Sequence, residues 1–580
     1  MAYRGYSYSR PRRSRQALPL VILVVVALLA GGGYLGVQHV LDQRKQARER
    51  SYAEAVAVAH GFLAAWGTGD TATMVNDATA DTAPLVRDRI PSLRTDLQVV
   101  SAKYVPGTVH TDAKSGTPGA PFHASVVLRG LGTWSYNSAV VLRKVAGHWK
   151  VVFSPETIHP QLHGADQLVR QRTLGHRGSV LLANGVPLRG QDAELDGNLL
   201  GTVGKYSAAQ AAAAGPLYEA GDVGGLTGLE RGENAVLSGT PGGSLSIHSP
   251  GGGVITTLID RKTTDGKDVR VSFDLHVQRA AEQALATITG GRTGSFVAID
   301  VASGKVLAIA NHPLNGFGRA IRGHYPPGST FKVITTTAAL MSGKGPGTPL
   351  DCGATTTVDG RTFHNAEKEQ LGTIDLQTAF AKSCNTAFVN LERQLPSGAL
   401  GKAAALFGFS PQPAAARDSP NSGPLPLTSF GGSVPTPTDA ADAAAEAIGQ
   451  GRIVASPLQM ASVAAAVAAG TWRQPYVTDT EPAGNPHHVL PSGVAATLSD
   501  FMAQVVATGT AKASGLPGGT RGKTGTAEIG NATPPITVAW FIGFQNGIAF
   551  ACQVGGDGGL SGGFGADTAA PVAARFLTLR

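Results

Sequence analysis

From Gln16 to Leu41 the chain carries no charged residue, and Leu18–Val40 at 1.5 Å per residue outruns the ~30 Å hydrocarbon core of a bilayer. Arg4, Arg10, Arg12, Arg13 and Arg15 precede this stretch, and the first acidic residue, Asp42, follows it. Positive charge stays on the cytoplasmic side. The sequence therefore reads as a cytoplasmic tail over 1–16, one membrane-spanning helix over 17–41, and everything beyond on the outer face of the cell membrane. A cleaved signal peptide is the competing reading, but the apolar run exceeds a signal core and Ala27–Ala30 is a poor cleavage site. Gly32 stands where a lipidated cysteine would have to be, so no lipid anchor is expected. The formal charge is +8, of which those five arginines supply most. No basic face with interleaved aromatics is left in the folded part, so nucleic acid is not an expected partner.

The remaining chain reads as α+β and multidomain. AEAVAVAHGFLAAWGTGD (53–70) repeats apolar residues at helical spacing up to a Gly67/Gly69 stop. Alternating strands follow over 95–153, with a turn at Ala146-Gly147. These form a small α+β domain over 48–158. Residues 159–288 are Gly-rich with short apolar runs, and SGTPGGSLSIHSPGGG (238–253) reads as a hairpin or exposed loop, which suits a β-rich pedestal. A larger domain occupies 289–580. It opens with a strand pair, SFVAID (295–300) and KVLAIAN (305–311), and ends with TVAWFIGF (537–544), an Asn546-Gly547 turn, GIAFACQV (547–554) and a closing helix. Strands from both chain ends predict one antiparallel sheet flanked by helices, with a cleft beside it.

In HYPPGSTFKVITTTAAL (324–340), Ser329 and Lys332 fall one turn apart on a helix that two prolines and a glycine introduce. A serine hydroxyl needs an adjacent base, and an amine near a helix N-terminus and other cations can lose its proton and serve. Of 16 lysines, only Lys332 has serine three residues before it. Ser383-Cys384-Asn385 follows within a helical pattern, and Lys523-Thr524-Gly525-Thr526 follows on a strand. Ser135-Tyr136-Asn137, Ser419-Pro420-Asn421 and Lys114-Ser115-Gly116 match the same short patterns, but Ser135 and Lys114 precede Ser329 in another domain and Ser419 sits in a Pro-rich stretch.

S-x-x-K, S-x-N and K-T-G in this order mark penicillin-binding proteins and serine β-lactamases. YPPGSTFK (325–332), AFAKSCNTAFVNL (379–391), IGQGRIVASPLQMA (448–461), GTA (509–511), GKTGTAE (522–528) and AWFIGF (539–544) extend the match, so residues 160–580 resemble a class B, monofunctional penicillin-binding protein. GLE (228–230) and the Asp274…Gln278 region resemble its pedestal, although RGSVLLANG (177–185) lacks the Asp-Arg pair expected there. Residues 50–155 resemble the nuclear-transport-factor-like domain that precedes the pedestal in some members.

The resemblance implies a peptidoglycan D,D-transpeptidase that takes stem peptides as substrate and β-lactam antibiotics as inhibitors. Catalysis would rest on Ser329 as nucleophile, Lys332 as its base, and Ser383 with Lys523 as the proton relay to the leaving D-alanine. Asn385 would hold the substrate amide, Thr524 and Thr526 its terminal carboxylate, and Gly525 would let the strand approach the substrate. Backbone N–H groups of Ser329 and Thr526 would form the oxyanion hole. Neither a cofactor nor a metal is expected, while a glycosyltransferase or a division or elongation complex is an expected partner.

A D,D-carboxypeptidase would share every one of these residues. A β-lactamase needs a carboxylate-activated water, for which only Glu481…Asn485, in a turn-like stretch, is available after Ser383. A β-lactam sensor lacks room for a signalling domain before the membrane helix, and a non-catalytic scaffold has no need of intact motifs. Cys352, Cys384 and Cys552 are expected as buried thiols, with a Cys352–Cys384 bridge the one pairing weighed for an oxidising compartment.

Overall fold

A computed structural model describes residues 18–111, 118–314, 316–412, 425–530 and 535–580, with side chains from residue 37 onward apart from those of 111 and 367. The first helix, α1 (Leu18–Thr68), runs through the uncharged stretch as backbone. The membrane-spanning reading of 17–41 rests on side chains outside the described residues; among those described, no helix is long and apolar enough to cross a membrane. Most of the Pro-rich stretch at 411–427, with Ser419 in it, and Lys114 likewise lie outside them.

The chain forms two compact units, and the pedestal is where they divide it. The first holds residues up to Thr173 together with Ala214–Glu219 and Pro241–Thr263. The second holds Leu174–Ala213, Ala220–Thr240 and Thr264–Arg580. Residues 159–288 are therefore shared between two units instead of forming one of their own.

In the first unit, α1 turns Ala55, Ala59, Phe62, Leu63 and Trp66 inward at helical spacing. They meet an antiparallel sheet of β1 (Val99–Pro106), β2 (Pro118–Leu128), β3 (Gly132–Val145) and β4 (His148–Val152), paired in that order. Trp66 stacks on Tyr104 at 4.3 Å and meets Phe122 and Phe153 edge-on. A second sheet, β5 (Gln167–Thr173), β6 (Gly242–His248) and β7 (Val254–Arg261), is ordered β7-β6-β5. Leu168, Leu245 and Ile247 join the same buried core, which is why this part of the expected pedestal goes with the first unit. The expected hairpin at 238–253 is β6 and its turn into β7.

The second unit is built on a five-stranded antiparallel sheet and the helices around it. In chain order its main elements are α2 (Leu275–Leu285), β8 (Gly294–Asp300), β9 (Val306–His312), α3 (Lys332–Met341), α4 (Leu376–Ala381), α5 (Asn385–Glu392), α6 (Ala399–Leu406), α7 (Ala440–Glu446), α8 (Pro457–Ala469), β10 (Arg521–Ile529), β11 (Ile536–Gln545), β12 (Ile548–Gly555) and α9 (Ala569–Leu579). The sheet order is β9-β8-β12-β11-β10, so strands from both chain ends meet at β8 and β12, as the pattern predicted. Phe296 of β8, Phe550 of β12 and Phe576 of α9 pack together, while the alanine-rich α8 lies against the same strands with nearly every side chain buried. Asn546 and Gly547 form the β11–β12 turn with φ of 47° and 78°, a conformation that favours these two residue types. Where an Asp-Arg pair was expected at 177–185, Arg177 instead reaches Glu230 of the GLE segment at 2.7 Å.

Candidate active site

Gly328 has φ of 52°, and a Cβ there would sit 2.6 Å from the Thr526 carbonyl oxygen, so only glycine brings Ser329 this close to β10. Gly328–Phe331 then wind as a 3₁₀ turn before α3 begins at Lys332. Side chains three residues apart eclipse in a 3₁₀ turn. Lys332 Nζ accordingly lies 3.0 Å from Ser329 Oγ.

The break between α4 and α5 supplies the second motif. Ser383 has φ of 61°, a left-handed conformation worth about 1–3 kcal/mol of strain for a non-glycine residue. That turn points Ser383 and Asn385 at Lys332, whose Nζ donates to Ser383 O at 2.7 Å and to Asn385 Oδ1 at 2.7 Å, with Ser383 Oγ at 3.3 Å. Asn385 is thus bound to the lysine through its oxygen, and its Nδ2 donates to His364 O at 3.1 Å. The expectation of buried thiols holds only for Cys552. Cys384, between the two motif residues, is joined to Cys352 by a disulfide.

The third motif lies on β10. Lys523 Nζ donates to Ser383 Oγ at 2.9 Å and to Thr524 O at 3.0 Å. Thr524 Oγ1 is 2.5 Å from Thr510 Oγ1, within the GTA segment, and Thr526 Oγ1 accepts from Gly565 N at 3.1 Å. A Cβ on Gly525 would meet Thr330 Cγ2 at 2.8 Å and Pro327 O at 2.9 Å. The glycine therefore admits the nucleophile's own turn, where the sequence suggested room for substrate. β10 is an edge strand, so among the described residues no strand pairs with one side of its backbone, the arrangement that strand addition by an extended peptide uses.

Both lysines are fully buried and neither makes an ion pair among the described residues, whereas Ser329, Ser383, Asn385 and Thr526 are half-buried. Burial without a counter-charge disfavours the ammonium form. It holds Lys332 well below the usual lysine range, with Lys523 adding like-charge repulsion. It lowers Lys523 to about 7. Ser383 Oγ lies within reach of both amines and bridges them.

All the residues expected at the site converge here. Ser135 lies on β3 of the first unit, and among the described residues Glu481 and Asn485 bond to each other and to the nearby backbone, on an exposed loop. Asn365 was not legible. It is buried, donates to Gly353 O at 2.9 Å and Glu369 O at 2.8 Å, and accepts from Thr386 N at 3.1 Å, which fixes the start of α5 beside the disulfide. A lone asparagine in a loop carries no sequence signal for such a role.

Three family models match the chain: the penicillin-binding protein transpeptidase domain over 294–578, the NTF2-like N-terminal transpeptidase domain over 54–166, and the penicillin-binding protein dimerisation domain over 191–271. The chain is 34% identical over 388 residues to the peptidoglycan D,D-transpeptidase PbpA of Mycolicibacterium smegmatis, covering 57% of this chain and 75% of that one. It is 30% identical to PbpA of Mycobacterium tuberculosis, covering 55% and 71%. Among solved structures, penicillin-binding protein A of M. tuberculosis in a ceftriaxone acyl-enzyme complex aligns with a TM-score of 0.53 at 25% identity, covering 70% of this chain and 98% of that one. Pseudomonas aeruginosa PBP2 aligns with a TM-score of 0.57 at 24% identity, over 71% and 96%. With its three motifs gathered around one pair of buried lysines, the chain belongs to the class B penicillin-binding proteins, the serine D,D-transpeptidases of peptidoglycan.

Proposed function

We propose that Ser329 is the acylated residue of this transpeptidase and that neutral Lys332 is its base. The observation that carries this reading is the 3.0 Å approach of Ser329 Oγ to an amine whose burial disfavours the ammonium form. Ser329 Oγ forms a bond to the carbonyl carbon between two D-alanines of a stem peptide, and its proton passes to Lys332. The carbonyl oxygen gathers negative charge between the backbone N–H groups of Ser329 and Thr526, each worth about 2.7–4 kcal/mol in comparable sites. Lys523 and Ser383 return a proton to the leaving D-alanine nitrogen as the C–N bond breaks. Thr524 and Thr526 hold the terminal carboxylate, and Asn385 holds the substrate amide once its oxygen leaves Lys332. A neighbouring stem peptide's amine then takes the acyl group and Ser329 regains its proton. A β-lactam enters by the same attack and stays on Ser329.

We place the enzyme on the outer face of a cell membrane, held by one helix over 17–41, with a glycosyltransferase or a division or elongation complex as partner. The uncharged stretch and its flanking arginines support this. The test of the chemistry is incubation with a fluorescent penicillin, followed by denaturing gel and intact mass over hours. A lasting adduct on the native chain and none on Ser329→Ala is the expected result. An adduct on Ser329→Ala refutes the assignment, and rapid loss of the native adduct would make the protein a β-lactamase.

A further inference from the structure

The GTA segment, Gly509–Ala511, follows the helix Val494–Ala507 and is held between the second and third motifs. Thr510 N donates at 3.1 Å to the carbonyl of Ala381, the last residue of α4 and two before Ser383. Ala511 is buried and its N donates to Val505 O at 3.0 Å. These two bonds fix the backbone from which the Thr510 side chain reaches β10, with its Oγ1 2.5 Å from Thr524 Oγ1. Neither hydroxyl has another hydrogen-bond partner among the described residues. Thr510 and Thr526 are half-buried, and Thr524 keeps 6% of its surface open.

Counting hydrogens decides which way this pair must point. A hydroxyl carries one hydrogen and two lone pairs, whereas a carboxylate only accepts. Once Thr524 donates to a carboxylate its single hydrogen is spent, so the 2.5 Å contact must be made by the hydrogen of Thr510. Thr526 is set in the same sense from another segment. Its Oγ1 accepts from Gly565 N at 3.1 Å, and because a backbone N–H can only donate, the Thr526 O–H stays available. A Cβ on Gly565 would overlap Gly525 O and Trp540 O, so only glycine brings that N–H to β10. Thr524 and Thr526 are two residues apart on one strand, which puts both side chains on one face.

We propose, on the reading that Thr524 and Thr526 hold the stem peptide's terminal carboxylate, that Thr510 is a positioning residue for this reaction. Its hydroxyl donates to Thr524 and, with the Gly565 N–H on Thr526, turns both β10 hydroxyls into donors that select a free carboxylate. Hydrogen bonds in a row polarise one another, so the Thr510 hydroxyl strengthens the bond that Thr524 makes to the anion. An esterified terminus keeps an acceptor oxygen but not the charge that makes such bonds strong.

The test is acylation of the full chain by benzylpenicillin and by its methyl ester, each followed by intact mass as a second-order rate constant. The ratio of the two rates is taken within one preparation, so unfolded protein cancels. The native chain is expected to favour the acid by about tenfold or more. Thr510→Ala removes the hydroxyl without adding bulk. It is expected to lower the ratio about fivefold, the worth of one ordinary hydrogen bond, by slowing the acid and not the ester. Thr510→Ser keeps the oxygen and is expected to hold the ratio within about twofold of native. On a Thr524→Ala background, Thr510→Ala is expected to change the ratio no further, because it acts through Thr524. Equal native rates for acid and ester overturn the carboxylate reading and the role of Thr510 with it. A native preference for the acid that survives Thr510→Ala, or that Thr510→Ser loses, or an undiminished effect of Thr510→Ala without Thr524, overturns the role of Thr510 alone.

Discussion

Replacing Lys523 by methionine should make the protein more stable at neutral pH while abolishing turnover. In the folded chain the Lys523 amine is lowered to about 7 from an ordinary 10.5. Between those values the unfolded chain binds more protons than the folded one, so stability rises with pH across that window, and below pH 7 the full cost of the buried amine is present. At about 1.36 kcal/mol per pH unit, that cost is about 4 kcal/mol at pH 7 and about 1 kcal/mol at pH 9.5. The substitution also frees Ser383 Oγ and the Thr524 carbonyl from a donor, at about 1 kcal/mol each, independent of pH. The difference between wild type and Lys523→Met should therefore shift by about 3 kcal/mol over this range, about 4 °C in the midpoint of the catalytic unit. Thermal unfolding of both proteins at pH 7, 8 and 9.5 measures it, and subtraction removes the titrating groups other than Lys332, which loses the repulsion of Lys523 in the variant. Parallel curves for the two proteins would refute the reasoning that burial without a counter-charge sets this amine.

Lys332→Arg cannot give a neutral base, so penicillin acylation should fall by about 10³-fold or more, and because a guanidinium cannot shed its charge in a site that disfavours the ammonium form, the thermal midpoint should fall as well; residual acylation within about tenfold of wild type, measured by stopped-flow fluorescence, would remove Lys332 from the base role. Gly525→Ala places a methyl 2.8–2.9 Å from Thr330 and Pro327, and should cost about 1–3 kcal/mol by denaturant unfolding and slow acylation markedly, since it levers the Ser329 turn off β10. Removing both Cys352 and Cys384 opens a loop of sequence separation 32, a loss of about 3–4 kcal/mol by the chain-entropy relation, checked by urea unfolding of the double alanine variant; a loss below about 1 kcal/mol would mean that Asn365 alone holds the Ser383 turn.

The sheet and the three motifs were legible because both follow from local pattern. Short continuous apolar runs bounded by turn residues, SFVAID and TVAWFIGF, give strands buried on both faces, and the Ser329–Lys332 spacing gives a shared face. The Cys352–Cys384 bridge was legible only as one open pairing, since two cysteines far apart in sequence announce no contact. The roles of Gly525 and Asn365 were hidden for a related reason: each depends on what another segment brings to it, Pro327 and Thr330 in one case, Gly353, Glu369 and Thr386 in the other. Division of the pedestal between two units could not be read either, because the apolar residues of β5 and β6 do not declare which core they enter.

The sheet order β9-β8-β12-β11-β10 also fixes when the enzyme can come into being. Ser295 bonds Gln553 across 258 residues, and the Ser329 turn leans on Thr526. A chain emerging from the ribosome in order, at about 5–20 residues per second, exposes the nucleophile well before it makes the strand that positions it. β8 and β9 must wait as an open hairpin with an unfilled edge until β12 arrives, well after Ser329. Reactivity is thereby expected only once β12 has been made, and a translation product that stops before residue 548 should carry Ser329 and Lys332 without becoming a target for penicillin.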